Sequence, residues 1–236
     1  MKKIPTLFKR VFDENHNKAI TKEVTPGCEV VLEGASGGSI ATVKYDGACC
    51  AIIDGEIYRR YDAKQKYGKK PPEGAIPCQT EPDPITGHWP HWVKCIPDNP
   101  ADKYFIEAFE RSLHLFQWGA FHVNHLDGKP DIKLPDGTYE AIGPSFQGNP
   151  YNMSWNLLER HGKHKIGWSE FTDENGTVGF ECIHDYLANH KIEGIVFWNK
   201  GQPLCKIKRS DFGFEWPIKE GNKKCQWISE ARVGSI

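Results

Sequence analysis

The 236 residues carry 30 Lys and Arg against 31 Asp and Glu, a formal charge of −1, with 39% hydrophobic and 26% charged residues. A near-neutral chain of this make-up is not a general nucleic-acid coat, which relies on a broadly basic surface, and it has no apolar run near the roughly 18 residues of a membrane span. Its length supports a sizeable core and fits one domain over 1–236. The opening MKKIPTLFKRVF is basic but is broken at Pro5 and has no apolar stretch or small-residue cleavage site. It does not read as a signal peptide, and a cytoplasmic location is expected. Eight cysteines occur at irregular spacings with no CxxC pair, so reduced thiols are expected and a zinc site is not. Contacts with a polyanion must be local. Basic patches stand at Lys2, Lys3, Lys9 and Arg10, at Lys64, Lys66, Lys69 and Lys70, and at Lys163 to Lys165. Each reads equally well as solvated surface.

In chain order, residues 28–61 predict short strands (CEVVLEG, SIATVKYDGACCAII, EIYRRYD) with a hairpin turn at Asp54-Gly55. Residues 64–100 are rich in Pro, Gly and polar residues and predict a loop excursion packed by Trp89 and Trp92. After Asn99-Pro100, the three- and four-residue spacing of Phe105, Ile106, Phe109, Leu113 and Phe116 predicts an amphipathic helix over 101–116. Strands are expected at 118–123 and 138–143, helices at 154–160 and 181–190, and a hairpin over 193–209 turning at Lys200-Gly201. A short tail, 212–236, completes the domain. Strands and helices without regular alternation predict an α+β fold with antiparallel sheets.

Four segments carry chemistry. ATVKYDG places Lys44 and Asp46 two apart, ahead of a glycine that lets backbone approach a ligand closely. Downstream follow TYEAIG at 138–143, IEGIVFW at 192–198 and CKIKR at 205–209. On a strand, Lys206 and Lys208 share one face while Cys205 and Ile207 take the other, so two cations address one site. Such a face suits a triphosphate.

In this order and spacing the segments resemble the motifs of the covalent nucleotidyltransferases, the superfamily of ATP-dependent DNA ligases, RNA ligases and mRNA capping enzymes. The resemblance spans about residues 40–211. KxDG corresponds to Lys44, Tyr45, Asp46 and Gly47, and the next arginine to Arg60, with Arg59 the alternative. The strand carboxylate corresponds to Glu140, the EG pair to Glu193 and Gly194, and KxK to Lys206 and Lys208. Within the superfamily the likeness is nearest to a compact RNA ligase family also found in animals, through VKYDGACC, PDPITGHWP, GPSFQGNPY and EGIVFW.

The resemblance implies a nucleotidyltransferase α+β fold, with antiparallel sheets, flanking helices and ATP in a cleft. It implies that Lys44 attacks the α-phosphorus of ATP, with Mg2+ or Mn2+, to form lysyl-AMP. For that attack the lysine must be neutral, which burial and neighbouring cations promote. Lys206 and Lys208 would hold the α-phosphate, Arg60 would contact phosphate, Glu140 would grip the ribose hydroxyls and Glu193 would organise the metal. RNA with 5′-phosphate and 3′-hydroxyl ends would be the substrate, and no protein partner or membrane is implied. The adenine would stack on Phe146, Trp155 or Trp168. Only 27 residues follow Arg209, too few for the OB domain common in DNA ligases and capping enzymes.

Two rival functions remain open to the sequence. The same lysine chemistry serves a capping-type guanylyltransferase or a nicked-DNA ligase. A non-catalytic RNA-end-binding module could also retain the motifs. His88, Trp89, His91 and Trp92 form a cluster that could stack bases or bind metal, or could simply pack their own loop. Cys49 and Cys50 read as core packing.

Overall fold

Short runs rich in β-branched, aromatic and small apolar residues form the strands in the computed structural model, which describes residues 3–12, 14, 18–64, 68–84, 86–124, 133–174 and 176–218, with backbone only for 118–124. The strands are β1 (Phe8–Phe12), β2 (Lys18–Val24), β3 (Ser39–Lys44), β4 (Ala48–Ile53), β5 (Glu56–Lys64), β6 (Ile76–Pro77) and β7 (His88–Lys94). Helix α1 (Lys103–Asn124) precedes β8 (Gly137–Ile142), β9 (Leu157–Arg160) and β10 (Lys165–Ile166). Helix α2 (Phe180–Asn189), β11 (Gly194–Asn199) and β12 (Gln202–Lys208) follow. Among the described residues every pairing between named strands is antiparallel, with one parallel bridge from Thr6 to Lys206, in an α+β arrangement with no closed barrel. Neither helix is long and apolar enough to cross a membrane.

The chain divides into two compact units, crossing between them at Tyr45–Asp46 and at His161–Gly162. One unit, residues 3–45 and 162–218 of those described, holds the β1–β2 ribbon and a four-stranded sheet in the order β10-β3-β11-β12. Its core joins Leu7, Phe8 and Val31 to Ile183 and Leu187 of α2 and to Ile195, Phe197, Cys205 and Ile207 of the sheet. The other unit, residues 46–161, holds a six-stranded sheet in the order β6-β7-β5-β4-β8-β9. Helix α1 lays Phe105, Ile106, Phe109 and Leu113 against Cys50, Ile52, Tyr139 and Leu158 of that sheet.

Both predicted hairpin turns form. Asp54 and Gly55 have φ of 53° and 77°, and Lys200 and Gly201 have 50° and 73°. Two consecutive positive φ values are what a type I′ turn needs to follow the strand twist.

Four local expectations are corrected. The strand expected at 118–123 is helical, because α1 runs on to Asn124: extending a formed helix costs less than starting a new element. That leaves Phe116 42% exposed instead of in the core. The helix expected at 154–160 is strand β9, whose Leu157 and Leu158 are buried by pairing with Ile142 and Ala141. CEVVLEG forms a 3-10 turn at Glu29–Val31, not a strand. The 64–100 excursion contains β6 and β7, and β7 pairs along β5 from Tyr58↔Lys94 to Lys64↔His88. For β9 and for β6 and β7, long-range strand pairing overrides local preference.

Candidate functional site

In the unit that contains Lys44, the register of three strands brings the predicted lysines together. Gly194 on β11 lies opposite Lys44 on β3 and opposite Lys208 on β12, and Val196 lies opposite Lys206. Directly opposed residues share a sheet face, so Lys44, Lys206 and Lys208 stand on one side while Cys205, Ile207 and Ile195 are fully buried on the other. Gly194 permits this convergence. A Cβ there would overlap the Ile207 carbonyl oxygen and lie 2.9 Å from the Lys208 Cα.

Glu193, 4% exposed, sits at the middle of the lysines. Its Oε2 accepts from the Lys44 ammonium and its Oε1 from the Lys208 ammonium. Lys44 Nζ also donates to the Tyr45 carbonyl at 3.2 Å. Tyr45 is buried and its hydroxyl meets His164 Nδ1 at 2.5 Å. Trp198 Nε1 donates to Thr42 Oγ1 at 2.8 Å, tying β3 to β11 two residues before Lys44. Lys44 thus projects from a strand end held on both sides.

Lys206 is partly buried beside other cations. Burial first, then the charges of Lys44, Lys208 and Arg10, bring its pKa down to about 8, with Glu193 acting in the other direction. Arg10 was visible in the sequence only as part of a basic N-terminal patch. Here its Nη2 donates to Asp211 Oδ1 at 2.9 Å, and Asp211 Oδ2 accepts from the Lys208 backbone N–H at 2.9 Å. Four cations therefore stand with two carboxylates, Glu193 and Asp211.

The unit comprising residues 46–161 holds the remaining predicted residues. Glu140 on β8 pairs with Cys49 on β4 and Glu159 on β9. Because Cys50 is opposite Arg59, Arg59 lies on the α1 face and Arg60 on the face of Cys49 and Glu140. Arg59 is committed to Asp102, whose side chain is fully buried and which also accepts from the Ile96 N–H. Arg60 Nε and Nη2 donate to Asp62 Oδ1 at 3.1 and 3.0 Å. Of the two arginines, the structure puts Arg60 beside Glu140's face.

Sequence reading did not find His161. Its Nε2 meets Glu140 Oε2 at 2.9 Å and its Nδ1 meets Thr138 Oγ1 at 3.0 Å, fixing the carboxylate. With Cys49 these form a group whose possible donor atoms lie within 4.8 Å of one another. The Cys49 thiol is pushed up to about 12 by burial and by Glu140, against the opposing charge of Arg60. That opposes the thiolate a metal would need. Glu193 fits a resident metal no better, since both its oxygens hold lysine ammoniums inside a cationic cluster. The lysine cluster presents positive charge, which suits an anion rather than a cation.

Gly47 of KYDG has a packing reason. A Cβ there would overlap the Ala141 carbonyl oxygen and lie 2.9 Å from Glu140 Cγ. The GPSFQGNPY segment supplies buried Tyr151, whose hydroxyl accepts from the Asp46 N–H at 2.6 Å. Of the three aromatics considered for adenine, Phe146 packs on Phe105 and Trp168 on Phe171 and Phe197 within the two cores. Trp155 is 55% exposed, with the Arg111 guanidinium 4.4 Å over its ring. The His88–Trp92 cluster lies on β7. Trp92 is buried there, and Trp89 Nε1 is tied to the Gln79 carbonyl at 2.9 Å, so its aromatics serve packing. The seven described cysteines are free thiols. Lys2, Lys66 and Cys225 lie outside the described residues, while Lys69, Lys70, Lys163 and Lys165 are exposed.

A cationic strand face around a buried glutamate, in an antiparallel α+β protein, has the charge to attract an anion. No family model matches the chain. It is similar to RNA ligase 1 of Mus musculus, 24% identical over 81% of this chain and 72% of the relative. It is likewise similar to RNA ligase 1 of Rattus norvegicus, 24% identical over 81% and 73%, and of Pongo abelii, 24% over 77% and 70%. This is a distant likeness to RNA ligases, in agreement with the resemblance of the motifs.

Proposed function

We propose that the protein is an ATP-dependent RNA ligase with a nucleotidyltransferase fold, working through a lysyl-AMP intermediate at Lys44. The observation that carries the reading is the convergence of Lys44, Lys206 and Lys208 on one strand face around buried Glu193. ATP would bind with its phosphates on the lysine face, and a divalent cation on those phosphates would supply further charge neutralisation. Lys44 Nζ, having given up its proton to solvent, forms a bond to the α-phosphorus as the bond to pyrophosphate breaks. Lys206 and Lys208 neutralise charge on the α-phosphate and the departing oxygen, the electrostatic contribution that dominates such transfers. A 5′-phosphate oxygen of RNA then takes the AMP from Lys44. The RNA 3′-hydroxyl attacks the activated phosphate, a phosphodiester forms and AMP leaves.

Glu193 holds Lys44 and Lys208 in place before the nucleotide arrives. Glu140, oriented by His161, is assigned to the ribose hydroxyls, and Arg60 to phosphate. The distant likeness to RNA ligase 1 supports RNA as the substrate class.

Intact mass of the purified protein after incubation with magnesium and either ATP or GTP tests the reading. Wild type is expected to gain one AMP, to lose it on addition of 5′-phosphorylated RNA, and Lys44→Ala to gain none. A GMP adduct would point to guanylyltransferase chemistry. Folded wild type that gains neither nucleotide would refute the covalent mechanism.

A further inference from the structure

Arg10 lies far from the motifs in sequence, yet it belongs electrostatically to the lysine cluster. Its charge helps to lower the Lys206 pKa, which requires proximity to that ammonium. It is held there from two sides. Leu7 N–H donates to the Lys206 carbonyl at 2.8 Å and Lys206 N–H to the Pro5 carbonyl at 3.0 Å, so the entry to β1 runs alongside β12. Asp211, whose side chain has no exposed surface, grips the Arg10 guanidinium and the Lys208 N–H together. One guanidinium nitrogen is engaged by Asp211 and the side chain keeps 32% of its surface exposed. Donors on the planar fork are left over to face solvent.

Charge balance points the same way. Among the described residues, Lys44, Lys206 and Lys208 against Glu193 leave two positive charges in excess, and the Arg10–Asp211 pair brings a guanidinium to that place without altering the sum. A polyanion would relieve the excess.

We infer that Arg10 is a phosphate-binding residue of the site, holding the pyrophosphate portion of the nucleotide while Lys44 is bonded to the α-phosphorus. The assignment rests on the ATP reading for its substrate and on the geometry of this unit for its position. It makes Arg10 matter in the step that releases pyrophosphate and much less in the later sealing step, where no pyrophosphate is present.

The experiment compares wild type, Arg10→Ala and Arg10→Lys by three measurements: the rate of lysyl-AMP formation against ATP concentration, sealing of chemically pre-adenylylated RNA, and calorimetric binding of inorganic pyrophosphate. Arg10→Ala is expected to lower kcat/KM for ATP and weaken pyrophosphate binding by about 10- to 100-fold, as for loss of a charge-assisted contact. Sealing should fall far less, and Arg10→Lys should recover part of the loss. Equal loss in both chemical steps, with a lowered unfolding temperature and unchanged pyrophosphate affinity, would make Arg10 a structural partner of Asp211 and overturn the inference. Unchanged lysyl-AMP formation in Arg10→Ala would overturn it while leaving the ligase reading intact. Should wild type form no lysyl-AMP, Arg10-dependent pyrophosphate binding would still support the phosphate role as the ligase reading falls, and Arg10-independent binding would end both.

Discussion

Lys206→Met tests the electrostatics of the site most directly. Methionine keeps the length and apolar stem of lysine and removes the ammonium. The Lys206 pKa falls from 10.5 to about 8 on folding, which corresponds to about 3 kcal/mol against folding when the group is charged. Because the side chain is only half-buried and partly screened by solvent, we expect Lys206→Met to raise stability at pH 7 by about 1–3 kcal/mol, or roughly 2–10 °C in Tm for a chain of this size. The pH dependence has a definite sign. A lysine with a depressed folded pKa binds fewer protons in the native than in the unfolded state between about 8 and 10.5. Wild type therefore gains stability as pH rises through that window, and below about 8 the penalty is fully present. The advantage of the variant should accordingly be largest below pH 8 and should shrink towards pH 10. Urea unfolding followed by circular dichroism at several pH values reads this as a difference between the two proteins, so that other titrating groups cancel. A variant less stable than wild type at pH 7, or a difference that does not change between pH 7 and 10, would refute the reasoning. The same substitution should abolish lysyl-AMP formation, a gain in stability at the expense of function.

Four further outcomes are expected. Gly194→Ala and Gly47→Ala push a methyl into the Ile207 and Ala141 carbonyls, and each should cost about 2–4 kcal/mol or prevent folding, read by urea unfolding or soluble yield. Arg59→Ala leaves the fully buried Asp102 carboxylate without its cation and should cost about 3 kcal/mol of stability. Arg60→Ala should change stability by less than about 1 kcal/mol but weaken ATP use; if the two effects were exchanged, Arg59 would be the phosphate contact. His161→Ala frees the Glu140 carboxylate and should raise the KM for ATP more than it lowers kcat, whereas His161→Gln, which can still donate to Glu140, should stay closer to wild type in steady-state adenylylation.

Much of this site could be read without a structure. Lysines two apart between buried residues must share a strand face, and Lys206, Lys208, Cys205 and Ile207 obey that rule because the strand period is two wherever one face is buried. The Asp54-Gly55 and Lys200-Gly201 turns were readable for a similar reason, since few residues tolerate the backbone they require. The reading failed where two local preferences were nearly equal: WGAFHV could extend a helix or start a strand, and LLER could coil or pair. Those choices depended on Ile142 and Ala141 of β8 and on the helix already running from Lys103.

The composition by itself excluded a basic coat and an apolar helical span, and the order of short motifs singled out Lys44, Glu140, Glu193, Lys206 and Lys208. Which cations share a centre was decided by tertiary structure alone. Strand register puts Lys44 and Lys208 on either side of Gly194, parity on β5 separates Arg59 from Arg60, and Asp211 draws in Arg10 from some 200 positions away. Periodicity describes a chain's neighbours along one element, whereas electrostatic coupling falls off with distance in space, and only the folded register sets that distance.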